Sequence, residues 1–194
     1  MFDPTIYENI KVVIQGAIYD LDLKGSIVVT NRSDKIDLAH MSRVFKLRFK
    51  DSQQQSYAHG ELILRANMRD LATEILEIYQ NPKPGCRLEI SFEQSDLTED
   101  EEIICLHNEL VHIWGSRPKI QHEIVGVWQP GSTAKGESVA SFDHHSANFT
   151  RRHRITLDFN RTIDENQIED IPELLQLMLE SLKLMDNKTM NRRV

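Results

Sequence analysis

The histidines of this sequence are the side chains whose type and spacing suggest chemistry, because neutral imidazole is the commonest metal ligand in proteins. His112 and His122 stand on either side of the turn-forming residues 115–118. If the two flanking segments form a β-hairpin, the register that matches their apolar faces sets Trp114 opposite Ile120 and therefore His112 opposite His122. Such a pair is either hydrogen-bonded within the core or half of a metal site.

Further metal ligands would have to come from the stretch 129–148, which is rich in Gly, Ser and Ala and is longer than most loops. It contains two adjacent histidines, so the sharpest hypothesis is a hydrolase-like, metal-dependent enzyme with a zinc or iron site built on His112, His122, His144 and His145. No recognised metal-ligand spacing accompanies these residues. We therefore favour the core pair, and we expect neither a cofactor nor catalytic activity.

Residues 102–114, which carry His112, fit two kinds of secondary structure. A helix is indicated by acidic residues such as Glu101 at the start of the segment and by Gly115 just past its end. A strand is indicated by the β-branched and aromatic residues at both ends of the segment, which leads into a second segment of clear alternation. We favour the strand, and the predicted histidine pair depends on that choice.

Composition limits the class of protein. Two cysteines without a Cys-x-x-Cys motif encode neither a disulfide framework nor a zinc ribbon, which predicts a cytoplasmic protein. No apolar run reaches the roughly 18 residues of a membrane span, so we expect no membrane partner. The formal net charge of -7 argues against nucleic acid as a partner. The densest basic cluster, Arg151, Arg152 and Arg154, is therefore interpreted as a solvated strand edge.

Hydrophobic periodicity predicts a mixture of helices and strands. The first helix carries its apolar stripe from Ile6 to Leu21, and Asn67 caps a helix that reaches Tyr79 with Leu71, Ala72, Ile75 and Leu76 inside. A hairpin joins residues 44–49 to residues 57–66 by alternation of apolar and polar residues. The remaining predicted elements are strands at 26–30, 87–93, 119–128 and 154–159, a short helix at 34–42 and a last helix at 170–185.

These elements predict an α+β fold of antiparallel β-sheet with amphipathic helices packed on one side. We expect residues 1–194 to form a single compact domain, because their number suits one core. The strongest turn signal in the sequence is residues 81–85, which separate two candidate sub-halves, 1–81 and 86–190. Each sub-half ends with strands followed by a helix. An old duplication is one hypothesis for that likeness.

The last predicted helix has more apolar residues than one face can hold. Leu177, Leu179 and Leu184 fall outside its main stripe, which implies a second buried side. That side lies either within the fold or at a subunit interface, and we predict a homodimer. The leading hypothesis is therefore a non-catalytic binding protein whose partner is another protein or a small ligand held between sheet and helices. The metal-dependent enzyme is the alternative.

Overall fold

The computed structural model describes residues 4–52, 56–77, 84–95, 100–128 and 149–192. It confirms an α+β fold. Its elements in chain order are α1 (Thr5–Leu23), β1 (Ile27–Asp37), β2 (Ser42–Asp51), β3 (His59–Ala66), α2 (Met68–Ile75), β4 (Cys86–Ser95), α3 (Asp100–Trp114), β5 (Lys119–Trp128), β6 (Phe149–Ile163), a 3-10 helix (Glu165–Asp170) and α4 (Ile171–Arg192).

The six strands form one antiparallel sheet in the order β1-β2-β3-β4-β6-β5. The predicted hairpin is confirmed as β2 and β3, in the register Leu47↔Leu62. Pairing of β3 with β4, centred on Leu62↔Ile90, joins the first candidate sub-half to the second. The single domain and the relation between the halves stay predictions.

One face of the sheet, here the covered face, carries the core beneath α1, α3 and α4. Apolar side chains alternate along β2 so that Phe45, Leu47 and Phe49 are completely buried there. Gly60 of β3 also belongs to this face, where a Cβ atom would stand 3.4 Å from Leu182 of α4. The missing side chain therefore lets α4 lie close to the sheet.

The other side of the sheet, here the open face, presents mainly polar side chains. The strand registers set charged residues of β2, β3, β4 and β6 on this face, and basic residues outnumber acidic ones although the whole chain is acidic. The basic residues are Lys46, Arg48, Lys50, Arg65, Arg87, Arg152 and Arg154, and the acidic residues are Glu61, Glu89, Glu93 and Asp158.

Helix α4 contacts both α1 and α3 on the covered face. Its main stripe is buried as predicted, with Met178, Leu182 and Met185 fully enclosed. The carboxylate of Asp186 then accepts hydrogen bonds from the backbone amides of Tyr57 and Ala58 at 2.7 and 3.0 Å, which fixes the chain before β3. Within the described residues, none of the helices has a stretch long and apolar enough to cross a bilayer.

The prediction of a strand at residues 102–114 was wrong, because this segment is helix α3. Leu106, Leu110 and Trp114 are buried, and their spacing of four fits one face of a helix as well as one face of a strand. The exposure of Ile104 distinguishes the two structures. A strand would bury this residue together with Leu106, Leu110 and Trp114, but Ile104 is 59% exposed. Gly115 ends the helix at φ +67°, and its amide donates to the Val111 carbonyl at 2.8 Å.

Two smaller predictions were also wrong. The short helix at 34–42 is absent, because β1 continues to Asp37, whose carboxylate accepts the amides of Ala39 and His40 in the following turn. The predicted inner stripe of α2 does not hold at Ile75 and Leu76, which are 69% and 66% exposed, because the helix already ends at Ile75. Tyr79 lies outside the described residues. The predicted cap of α2 is confirmed by reciprocal hydrogen bonds between Asn67 and Asp70.

Candidate functional site

Strand β6 breaks its regular pairing with β4 at residues 159–161. Thr162 pairs with Arg87 and Asp158 with Glu89, so three residues of β6 stand opposite a single residue of β4. Asn160, in the middle, adopts the left-handed φ of 48°, which asparagine tolerates better than most residues. Its amide donates to the carboxylate of Asp158 at 2.8 Å. A bulge of this kind redirects the side chains beside it.

The side chains on both sides of Asn160 enter a pocket of about 470 Å³ between the sheet and the helices. Trp114 packs edge-on against Phe159, with ring centroids 6.1 Å apart. The indole nitrogen of Trp114 donates to Ser181 Oγ of α4 at 2.9 Å, which fixes the aromatic wall. The pocket is lined by Trp114, Arg117, Phe159, Arg161, Asp170, Glu173, Leu174 and Leu177.

The rim of this pocket carries charges of both signs. Arg117 and Arg161 are exposed, as are Asp170 at the end of the 3-10 helix and Glu173 in the first turn of α4. None of the four forms an ion pair within the part of the chain that the structure describes. The pocket thus combines an apolar interior with guanidinium and carboxylate groups that are free to meet a ligand.

His122 does not face His112, because the helical form of α3 removes the predicted hairpin. It lies instead in the middle of a row of three histidines. His107 Nδ1 is 3.0 Å from His122 Nε2, and His122 Nδ1 is 3.0 Å from His153 Nε2. The row joins α3 to β5 and β6 on the covered face. In each pair one nitrogen must donate and the other accept.

Burial favours the neutral form of two histidines in this row, His153 and His122. Burial first, and then the neighbouring His122, lower the pKa of His153 to about 4. Burial and His107 likewise hold the pKa of His122 below its ordinary value. His153 is paired in the sheet with Gln94, and both side chains are buried. His153 Nδ1 and Gln94 Oε1 have no hydrogen-bond partner within the described residues.

The described residues contain no group of three or more side chains arranged to hold a metal ion. Both nitrogens of His122 already face other histidines, so the three rings do not converge on one point. His112 lies elsewhere, in a groove between α3 and α4 with Glu109 and Leu184. His144 and His145 lie outside the described residues, and the zinc or iron site stays a prediction.

The surplus leucines of α4 are half-buried and pack against the core. Leu177 lines the pocket beside Phe159, whereas Leu184 lines the groove beside His112. Leu179 also contacts the core, and α4 has a neighbouring helix on each side. The fold itself thus accounts for a second apolar side of this helix, and the homodimer stays a prediction.

The pocket could not be predicted from the sequence, because the residues that line it come from distant parts of the chain. Trp114 and Phe159 are separated by 45 residues, and no local motif connects them. One local signal was present, since Asn160 interrupts an otherwise alternating strand with a residue that favours the left-handed region. His107 was likewise missed, because a strand at 102–114 would not have placed it over His122.

Comparison of the chain with models of protein families, with curated proteins and with solved structures finds no match.

Proposed function

We propose that this protein is a non-catalytic binding protein that holds a small aromatic anion in the pocket beside the β6 bulge. The observation that supports this proposal is the pocket of about 470 Å³ walled by Trp114, Phe159 and Leu177. Its volume lies in the range of sites for small organic ligands. The lining offers apolar surface and fixed charges, which orient a ligand, and on this ground we propose binding rather than chemistry.

Each part of the pocket has a role in this proposal. An aromatic ring of the ligand stacks in the wall formed by Trp114 and Phe159, where ring pairs add to the effect of apolar burial. Its anionic group meets Arg117 or Arg161, whose planar guanidinium groups match oxyanions. The wall is formed before binding, since Ser181 already holds the indole, so little ordering free energy opposes binding.

The test uses 1-anilinonaphthalene-8-sulfonate, which combines an aromatic body with one sulfonate, and isothermal titration calorimetry. We expect about one equivalent to bind per chain. Leu177→Trp fills the pocket and weakens binding by about tenfold or more. Leu184→Trp is the matched control, because it makes the same change to a half-buried leucine of the same helix in the other groove.

A second variant separates the charge from the shape of the pocket. Arg161→Gln removes an exposed guanidinium, so the fold tolerates it, and we expect binding to weaken about threefold to tenfold. Arg69→Gln, which removes an exposed arginine outside the pocket, leaves affinity unchanged. Equal affinity of the wild-type chain, Leu177→Trp and Arg161→Gln would refute the proposal, as would failure of the wild-type chain to bind the probe.

A further inference from the structure

The open face of the sheet carries a local excess of positive charge that the composition of the chain conceals. The formal net charge is -7, yet basic side chains outnumber acidic ones on the open face of β2, β3, β4 and β6. The rest of the molecule is therefore more acidic than the total suggests. Such separation of charge produces a local field that favours anionic partners at this face.

The centre of this excess is Glu93, which three arginines share. Arg48 and Arg152 each approach its Oε1 at 3.3 Å, and Arg154 approaches its Oε2 at 3.3 Å. Burial alone would raise the pKa of Glu93, but the three guanidinium groups outweigh it and hold the pKa below its ordinary value. Glu93 thus offsets one of these three positive charges. The registers add Glu61 opposite Arg48 and Glu123 opposite Arg154, so the positive excess belongs to the open face as a whole.

The arginines also have hydrogen-bond donors to spare. Each guanidinium has five N–H groups, whereas one carboxylate offers about four acceptor sites to all three. Arg152 and Arg154 expose 58% and 47% of their side chains, so their free donors face the solvent above the sheet. Planar forks of this kind suit carboxylate groups, which they can bind in a bidentate manner.

We infer that the open face around Arg48, Arg152 and Arg154 binds an acidic segment of a partner protein. A short segment rich in Asp and Glu can lie entirely within the basic patch, because charges beyond about 8–10 Å are screened at physiological salt. A long polyanion such as nucleic acid extends over the acidic remainder of the surface and is repelled there. The described strands also set no Phe, Tyr or Trp side chain on the open face for bases to stack on.

The test measures binding of fluorescein-labelled octaglutamate to the full chain by fluorescence anisotropy at low and physiological salt. We expect binding that weakens with salt, and a loss of about tenfold or more in the double variant Arg152→Gln/Arg154→Gln. Both arginines are exposed, so this variant folds. The control Lys24→Gln/Lys183→Gln removes two exposed charges from helical regions and keeps the wild-type affinity.

Two comparison probes decide the class of partner. Octathymidylate and phosphatidylserine vesicles are titrated under the same conditions, and octaglutamate binds more tightly than either on this inference. Tighter binding of the oligonucleotide or the vesicles through Arg152 and Arg154 would overturn the assignment to a protein partner. Equal loss of octaglutamate affinity in both double variants would overturn the site itself. These results do not depend on whether a ligand binds in the pocket beside the β6 bulge.

Discussion

The two faces of the sheet handle charge in opposite ways. On the covered face, burial lowers the pKa of His122 and His153, and Asp34 receives close hydrogen bonds from Arg43 at 3.0 Å and from Lys11 at 3.1 Å. On the open face, Glu93 is shared by three arginines at 3.3 Å. Both carboxylates are nearly equally buried, with 18% and 17% of their side chains exposed.

The difference lies in the partners rather than in the carboxylates. Arg43 and Lys11 expose only 12% and 11% of their side chains, whereas Arg152 exposes 58%. Buried cations depend on their carboxylate, because water cannot replace it. Exposed cations keep their hydration and can exchange one anion for another. The covered face therefore uses charge for structure, and the open face keeps charge available for a partner.

The largest effect that separates the faces is expected from truncation of a core side chain. Phe92 of β4 is completely buried on the covered face, and Phe92→Ala removes a ring and leaves a cavity. We expect the free energy of unfolding in urea to fall by about 3–5 kcal/mol. Ile63→Ala on the open face is the control. Ile63 is buried there as well, and we expect a loss of about 2 kcal/mol, at the low end for a buried isoleucine, because the long polar side chains around it can collapse. Equal losses would show that both faces are packed alike.

A pH titration tests whether burial keeps His153 neutral. The pKa of His153 is about 4 in the folded chain, below the 6.5 of an ordinary histidine, so the unfolded chain binds more protons between these values. The free energy of unfolding therefore falls as the pH drops from about 6.5 to about 4, and we expect a loss of about 3 kcal/mol. Urea denaturation at several pH values measures it.

Two variants assign that loss of stability. His153→Phe removes the histidine with the largest shift and reduces the slope across this pH window. His40→Phe, at a histidine whose side chain is 81% exposed, leaves the slope as in the wild-type chain. If the free energy of unfolding of His153→Phe depends on pH as steeply as that of the wild-type chain, the acid sensitivity lies elsewhere in the molecule.

The smallest effect is expected for the shared carboxylate of the open face. Glu93→Gln removes its charge, and we expect the free energy of unfolding to change by less than about 1 kcal/mol because its partners are solvated. Asp34→Asn makes the matching change on the covered face and costs about 1–2 kcal/mol, since Arg43 and Lys11 lose a buried partner. Equal costs in thermal and urea unfolding would contradict the contrast between the faces.

Local patterns predicted the elements in which the spacing of apolar residues favours one kind of secondary structure over its full length. The stripe from Ile6 to Leu21 favours a helix over its full length, although Ile10 to Ile14 alone also fit a strand. The alternation of Phe45, Leu47 and Phe49 indicates a strand with one buried face. The cap at Asn67 was predictable because its hydrogen bonds span only three residues. The α+β class followed from these elements, since their apolar faces have few ways to cover one another.

The sequence by itself thus determined the alternating faces of the strands and the stripes of most helices, because these depend on neighbours within about four residues. The tertiary structure alone decided between helix and strand at Leu106, Leu110 and Trp114, whose spacing satisfies both periods. It also decided that His122 meets His107 and His153, that Trp114 meets Phe159, and that basic residues of four strands gather on one face. These contacts join residues far apart in the chain, so their geometry exists only after the sheet and helices have packed.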